Sequence, residues 1–165
     1  MIRAREKGRM ILKSLGIIIV LLSLSGCDKY RVYENNKDFV GNQWYADSVC
    51  SYSFDIEDIN QSYNILYNVR NTVNYPFYNL YVKYTLIAPD GKVVATELQE
   101  MQLMDTKTGS PYGSGMGDIF DNQIIALKNY KFLQKGKYTM TTKQYMRKNP
   151  IDEIMAFGIR IERVK

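Results

Sequence analysis

Residues 78–92 read Tyr78-Asn79-Leu80-Tyr81-Val82-Lys83-Tyr84-Thr85-Leu86-Ile87-Ala88-Pro89-Asp90-Gly91-Lys92. Leu80, Val82, Tyr84 and Leu86 recur every second residue, the period that places them on one face of a β-strand. The strand ends in Pro-Asp-Gly-Lys: proline presets φ for a turn and glycine accepts the left-handed position that follows. Residues 93–98 then return as the partner strand, with a weaker alternation continuing to Leu103. A hairpin with one apolar face must bury that face against another layer. The same texture therefore has to recur elsewhere in the chain.

It recurs on both sides. Cys50, Tyr52, Phe54 and Ile56 share one face of a strand over 49–57, and Tyr63, Ile65, Tyr67 and Val69 mark another. Downstream, Lys135-Gly136-Lys137 turns into a strand over 138–146. Tyr138, Met140, Thr142, Gln144 and Met146 alternate there with Thr139, Thr141, Lys143 and Tyr145. Phe157, Ile159 and Ile161 point inward from a last strand over 156–164, and residues 124–127 form a short one. Asn149-Pro150 interrupts the pattern, and residues 152–155 read as a turn or one helical turn. The Gly-, Thr- and Ser-rich run 105–117 reads as a long exposed loop. Seven or eight short strands with no long helix predict an all-β domain, a single antiparallel β-sandwich of jelly-roll or immunoglobulin-like type. A closed barrel is the alternative.

The N-terminus has a different composition. Arg3, Arg5, Lys7, Arg9 and Lys13 precede a ten-residue apolar run over 15–24, which ends in Leu24-Ser25-Gly26-Cys27. A run about half the ~20 residues needed to cross a bilayer is the core of a signal peptide rather than a membrane span. The tetrad resembles the bacterial lipobox, in which the cysteine is acylated and becomes the new N-terminus. Several acyl chains on Cys27 make a stable anchor, where one holds only marginally. The expected organisation is a signal peptide over 1–26, a lipidated N-terminus and polar tether over 27–43, and the sandwich over 44–165. Fifteen tether residues average about 20 Å as a coil and reach ~50 Å when extended. Removing the leader takes five of the 22 bases and one of the 17 acids, leaving 17 against 16 in 139 residues. The net charge falls from +5 to +1 with scattered bases, which is no footprint for nucleic acid. Cys50 is then the lone thiol, so no intramolecular disulfide forms; it reads as a buried apolar residue, with a reactive thiol as the alternative.

The chain contains no histidine. That removes Ser-His-Asp and Cys-His arrangements and the commonest metal ligand. Paired carboxylates for glycoside hydrolysis are available in Asp55, Glu57, Asp118 and Asp121, against the plainer reading of a solvated strand face. Asp118-Ile119-Phe120-Asp121-Asn122 clusters oxygen donors but lacks the spacing of an EF-hand, so turn-forming side chains are the better account. No metal and no cofactor are implied. Aromatic residues are plentiful, 14 Tyr with six Phe and one Trp, and most suit half-buried strands. Trp44, Tyr45, Tyr75, Phe77 and Tyr112 stand outside the regular alternation and are the candidates for contacting a glycan or a protein partner.

Three blocks carry a family resemblance. They are Gly26-Cys27-Asp28-Lys29-Tyr30-Arg31-Val32-Tyr33, then Tyr63-Asn64-Ile65-Leu66-Tyr67-Asn68-Val69-Arg70-Asn71 with Tyr75-Pro76-Phe77-Tyr78-Asn79-Leu80-Tyr81, and Gly115-Met116-Gly117-Asp118-Ile119-Phe120-Asp121-Asn122-Gln123. Together they resemble the GldH family of gliding-motility lipoproteins of the Bacteroidetes. The resemblance implies a lipid-anchored, non-enzymatic part of a gliding machinery linked to type IX secretion, with the bilayer and envelope proteins as partners and no catalytic residues to transfer. The family also occurs in Bacteroidetes that do not glide. A carbohydrate-binding envelope lipoprotein and a carboxylate hydrolase remain as alternatives. Lys29-Tyr30-Arg31 lacks the acidic run that accompanies surface export in that phylum, so the expected location is the outer membrane, facing the periplasm.

Overall fold

The computed structural model describes residues 28–164. The expected signal peptide and the acyl-accepting Cys27 lie outside the described residues. Eleven strands follow in order: β1 (Arg31–Asp38), β2 (Gln43–Trp44), β3 (Cys50–Ile56), β4 (Tyr63–Thr72), β5 (Asn79–Ile87), β6 (Val93–Gln102), β7 (Ser114–Met116), β8 (Ile119–Tyr130), β9 (Gly136–Gln144), β10 (Ile151–Asp152) and β11 (Ile154–Arg163). They form a five-stranded sheet, β1-β11-β4-β8-β7, a four-stranded sheet, β3-β9-β5-β6, and a small β10-β2 pair. Every pairing is antiparallel. The two main sheets stay separate, so the architecture is a sandwich and not a closed barrel.

The period-two residues do what their spacing demands. Burial alternates strictly along β3, and Leu80, Val82, Tyr84 and Leu86 of β5 are all buried. Facing them from the other sheet are Ile65, Tyr67 and Val69 of β4 with Phe157, Ile159 and Ile161 of β11. Buried phenols are tied down across the interface. The Tyr52 hydroxyl donates to the Phe157 carbonyl at 2.7 Å, and that of Tyr67 to Gln99 Oε1 at 2.8 Å. Phe132, from the β8–β9 connection, plugs one end with its ring edge against Tyr63, Tyr130 and Tyr138. Cys50 is fully buried, and burial pushes its thiol pKa up, which keeps it protonated and inert.

Four expectations need correction. Residues 31–38 are not tether but strand β1, paired with β11 from Arg31–Glu162 to Asp38–Ala156. An edge strand can be held by backbone bonds to one neighbour, so it needs no apolar alternation. Its outward side chains, Glu34 and Asn36, bond laterally instead. The folded unit therefore begins near residue 30, not 44. Within the expected loop, Ser114–Met116 forms β7, while Asp105 Oδ1 accepts from the amides of Lys107 and Thr108 to build a compact turn. Strand β8 is twelve residues long rather than four. Its period is masked by register shifts against β4 and by Asn122, a buried amide that donates to Asn71 Oδ1 at 2.8 Å. Finally, residues 151–155 are strand on both sides of Glu153, which takes a left-handed φ of 68° and lets the chain pass from β10 into β11.

Candidate functional site

The five aromatic candidates do not assemble into one platform. Trp44 is 0 % exposed, stacked on Phe39 and packed on Phe157, with its indole N–H donating to the Ser48 carbonyl at 3.0 Å. Tyr75 is also buried, and its hydroxyl donates to the Asn79 carbonyl. These two rings are core, not contact surface: they cap the sandwich where the β2 and β4–β5 segments close over it. Tyr45 and Tyr112 are exposed but separate, bonded to Gln43 and Asp105 respectively. Only Phe77, edge-on to Tyr75, reaches an open aromatic surface.

That surface is a shallow groove of about 680 Å³ on the outer side of the four-stranded sheet, lined by Phe77, Tyr81, Leu98, Tyr145, Met146, Arg147 and Lys148. Leu98 and Tyr145 are about half exposed. Tyr81 faces outward because its neighbours Leu80 and Val82 face in, and its amide donates to the Met146 sulfur at 3.3 Å. Beside it, Lys83 stands directly opposite Lys143 on one flank and Leu98 on the other. Lys83, Lys143 and Arg147 make this face basic as well as aromatic, while Glu100 stands opposite Tyr81 and Lys148 is paired with Asp152 at 2.5 Å. Sequence reasoning missed Tyr81, Leu98 and Tyr145. For Tyr81 and Tyr145 the signal was present as the odd positions of strands whose even positions were already assigned to the core, whereas Leu98 lies on a strand with no clear alternation.

A second, polar groove of about 340 Å³ crosses the outer face of the five-stranded sheet. Asn36, Gly158, Asn68 and Gln123 lie directly opposite one another along four successive strands. Asn68 Nδ2 donates to Glu34 Oε1 at 2.9 Å and to Asn36 Oδ1 at 3.2 Å, and Gln123 Nε2 donates to Asn68 Oδ1 at 3.1 Å. At one side sits Arg160, 11 % exposed, bonded to Asp28, Glu34 and Glu162. Burial works against the charge of Arg160, but Asp28, Glu162 and Glu34 outweigh it and raise its pKa. The contact with Arg160 holds the Asp28 carboxyl below the usual carboxylate range.

Asp55, Glu57, Asp118 and Asp121 are all exposed. Asp121 is committed to Arg70 at 2.7 Å, and Asp55 stands opposite Lys137. Asp55 and Glu57 line one shallow groove at the sheet margin together with Arg31 and Arg163. The hydrolase reading needs an enclosed carboxylate pair, and these acids sit in open solvent beside cations.

The fold and its surfaces define a small β-sandwich that presents an aromatic, basic face on one sheet and a hydrogen-bonding face on the other. The GldH lipoprotein family profile matches residues 31–161, the whole sandwich, and this chain belongs to that family. It is 33 % identical over 163 residues to the gliding motility lipoprotein GldH of Flavobacterium johnsoniae, covering 93 % of this chain and 98 % of that one. It is 31 % identical over 153 residues to the gliding motility lipoprotein GldH homolog of Christiangramia forsetii, covering 88 % and 92 %. Among solved structures, the VP2 subviral particle of infectious bursal disease virus overlaps 83 % of this chain and 33 % of its own, with TM-score 0.43 and 17 % identity. That likeness is too distant to carry an argument.

Proposed function

We propose that this chain is a non-catalytic component of a gliding apparatus and its linked type IX secretion machinery, anchored through acylated Cys27 to the outer membrane and facing the periplasm. It works by binding other envelope proteins. The observation that carries this reading is the open groove formed by Phe77, Tyr81, Leu98 and Tyr145 with Arg147 and Lys148 beside it. Tyrosine and arginine next to exposed aliphatic surface are the side chains that dominate protein interfaces. A saccharide-binding role is the second reading. The amide row of Asn36, Asn68 and Gln123 supports it, whereas the buried rings of Trp44 and Tyr75 do not.

The test is site-specific photocrosslinking in native envelopes. A photoreactive residue at Leu98 or Tyr145 should capture a defined envelope protein. The same residue at the exposed Ser51, elsewhere on that sheet, should not. Capture should also require the anchor, and so fail in the Cys27→Ala form. Retention of glycan fragments with no protein captured from either position would replace the leading reading with the second.

A further inference from the structure

One end of the sandwich gathers the start of β1, the end of β11, the start of β4 and the β8–β9 connection, as the pairings Arg31–Glu162, Arg163–Tyr63 and Tyr63–Tyr130 require. Asp28 is fastened there by Arg160, and the Arg163 amide donates to the Tyr30 carbonyl at 2.8 Å. Asp28 and Lys128 line the same groove. An anchor on residue 27 is therefore one peptide, about 3.8 Å between Cα atoms, from a fixed point of this end.

The β8–β9 connection displays an apolar residue at that end. Phe132 is buried among Tyr63, Tyr130 and Tyr138, and Gln134 is held through both its amide and its carbonyl by the Tyr138 hydroxyl. With both neighbours fixed, Leu133 projects outward, 84 % exposed. The exposed lysines Lys128, Lys131 and Lys135 lie on this connection and the strand end before it, and Lys137 follows opposite Asp55. The acids of the same end are mostly engaged: Asp28 and Glu162 with Arg160, Asp90 with Lys92, and Asp55 opposite Lys137. Glu57 and Asp58 remain on the β3–β4 connection.

We infer that this end rests on the bilayer, with Leu133 inserted among the acyl chains and the lysines on anionic lipid headgroups. The inference rests on the acyl anchor at Cys27 proposed above. An apolar tip ringed by lysines has the chemistry of an interfacial anchor, and each lysine near an anionic surface strengthens binding by about fivefold. A single exposed leucine is ordinary on a protein surface. One beside three lysines, at the end carrying the lipid attachment point, fits a membrane.

The test uses the full lipidated protein in vesicles of phosphatidylethanolamine and phosphatidylglycerol. An environment-sensitive fluorophore is placed by Leu133→Cys, or by Val40→Cys at the opposite end, where Val40 is 95 % exposed. Cys50 is buried and stays unlabelled in the folded protein. The label at 133 should shift to the blue and be quenched by brominated acyl chains, and the label at 40 should do neither. Lys131→Glu with Lys135→Glu should cut the quenching several-fold. Equal, water-like emission from both positions on protein that floats with the vesicles overturns the inference. Protein that fails to float overturns the anchor itself.

Discussion

A methyl group at position 158 would sit 1.8 Å from Asn36 Oδ1 and 2.5 Å from the Asn35 carbonyl oxygen. Gly158 is in strand β11 between Asn36 and Asn68, so its missing side chain is what lets the Asn36 amide reach across to Asn68. Gly158→Ala should therefore cost about 1–3 kcal/mol in urea unfolding, the usual range for forcing extra volume into a packed site. The cost should be smaller in an Asn36→Ala background, which removes the side-chain clash and leaves only the backbone one. Arg160 supports a second prediction. It lowers the Asp28 carboxyl pKa, and Arg31, Asn68 and Arg160 together outweigh burial to lower that of Glu34. Carboxylates with depressed folded-state pKa values contribute stability above the ordinary range near 4, and that contribution is lost as pH falls through the folded values. The amide signals of residues 28–34 should loosen below about pH 4 while the core signals persist. In Arg160→Gln the segment should already be loose at neutral pH. Unchanged signals in that variant would show that backbone pairing alone holds it.

Strand β1 is the element on which sequence and structure part most clearly. A chain begun at residue 44 would lack both β1 and the ring of Phe39 that stacks on Trp44, and it would uncover the edge of the ten-residue β11. Unpaired edges of that length template association. Such a chain should lose several degrees in Tm and self-associate in sedimentation, whereas one begun at residue 28 should remain monomeric with the Tm of the full chain. The strands β3, β5, β9 and β11 were legible because the other sheet covers one of their faces, which leaves apolar residues at alternate positions, even in β3 at the edge of its sheet. The edge elements β1 and β7 were not, because one set of backbone bonds and a few lateral amides hold them, and neither leaves a period of two. Strand β8 was hidden by its register shifts and by a buried asparagine in a position where a hydrophobe would have marked the face. The same logic separates the site residues. Trp44 and Tyr75 stood out by irregular spacing, yet residues of irregular segments are the ones available to fold back over an open core. Tyr81 and Tyr145 alternate with core positions, whereas Leu98 lies on a strand with little alternation, and on a one-sided sheet the outward half of such a pattern is the surface left open for the partner proposed above.

At the scale of the whole molecule, the consequence of β1 is orientation. With residues 28–43 as a coil, the sandwich would roam about 20 Å from its anchor and present any face to the bilayer. With Asp28 fixed to Arg160 and β1 in the sheet, the attachment end is set. The aromatic groove of Phe77, Tyr81, Leu98 and Tyr145 lies toward the opposite end of the four-stranded sheet, so the bilayer contact proposed above would direct it away from the membrane. The claim can be separated from simple tethering by inserting sixteen Gly/Ser residues between Cys27 and Asp28. Such a linker has a root-mean-square span of roughly 20–24 Å and replaces a fixed contact with a millimolar effective concentration. The insertion touches no packed residue, so Tm should stay within about a degree of the parent. Bilayer quenching of a fluorophore at position 133 should fall, and it should become sensitive to salt, because the lysines must then hold the end down without help from the anchor. Photocrosslinking from position 98 should fall with it if a membrane-fixed partner reads the height and tilt of the groove. If quenching drops while crosslinking is unchanged, partner binding does not depend on orientation, and the short attachment serves only to keep the sandwich at the surface.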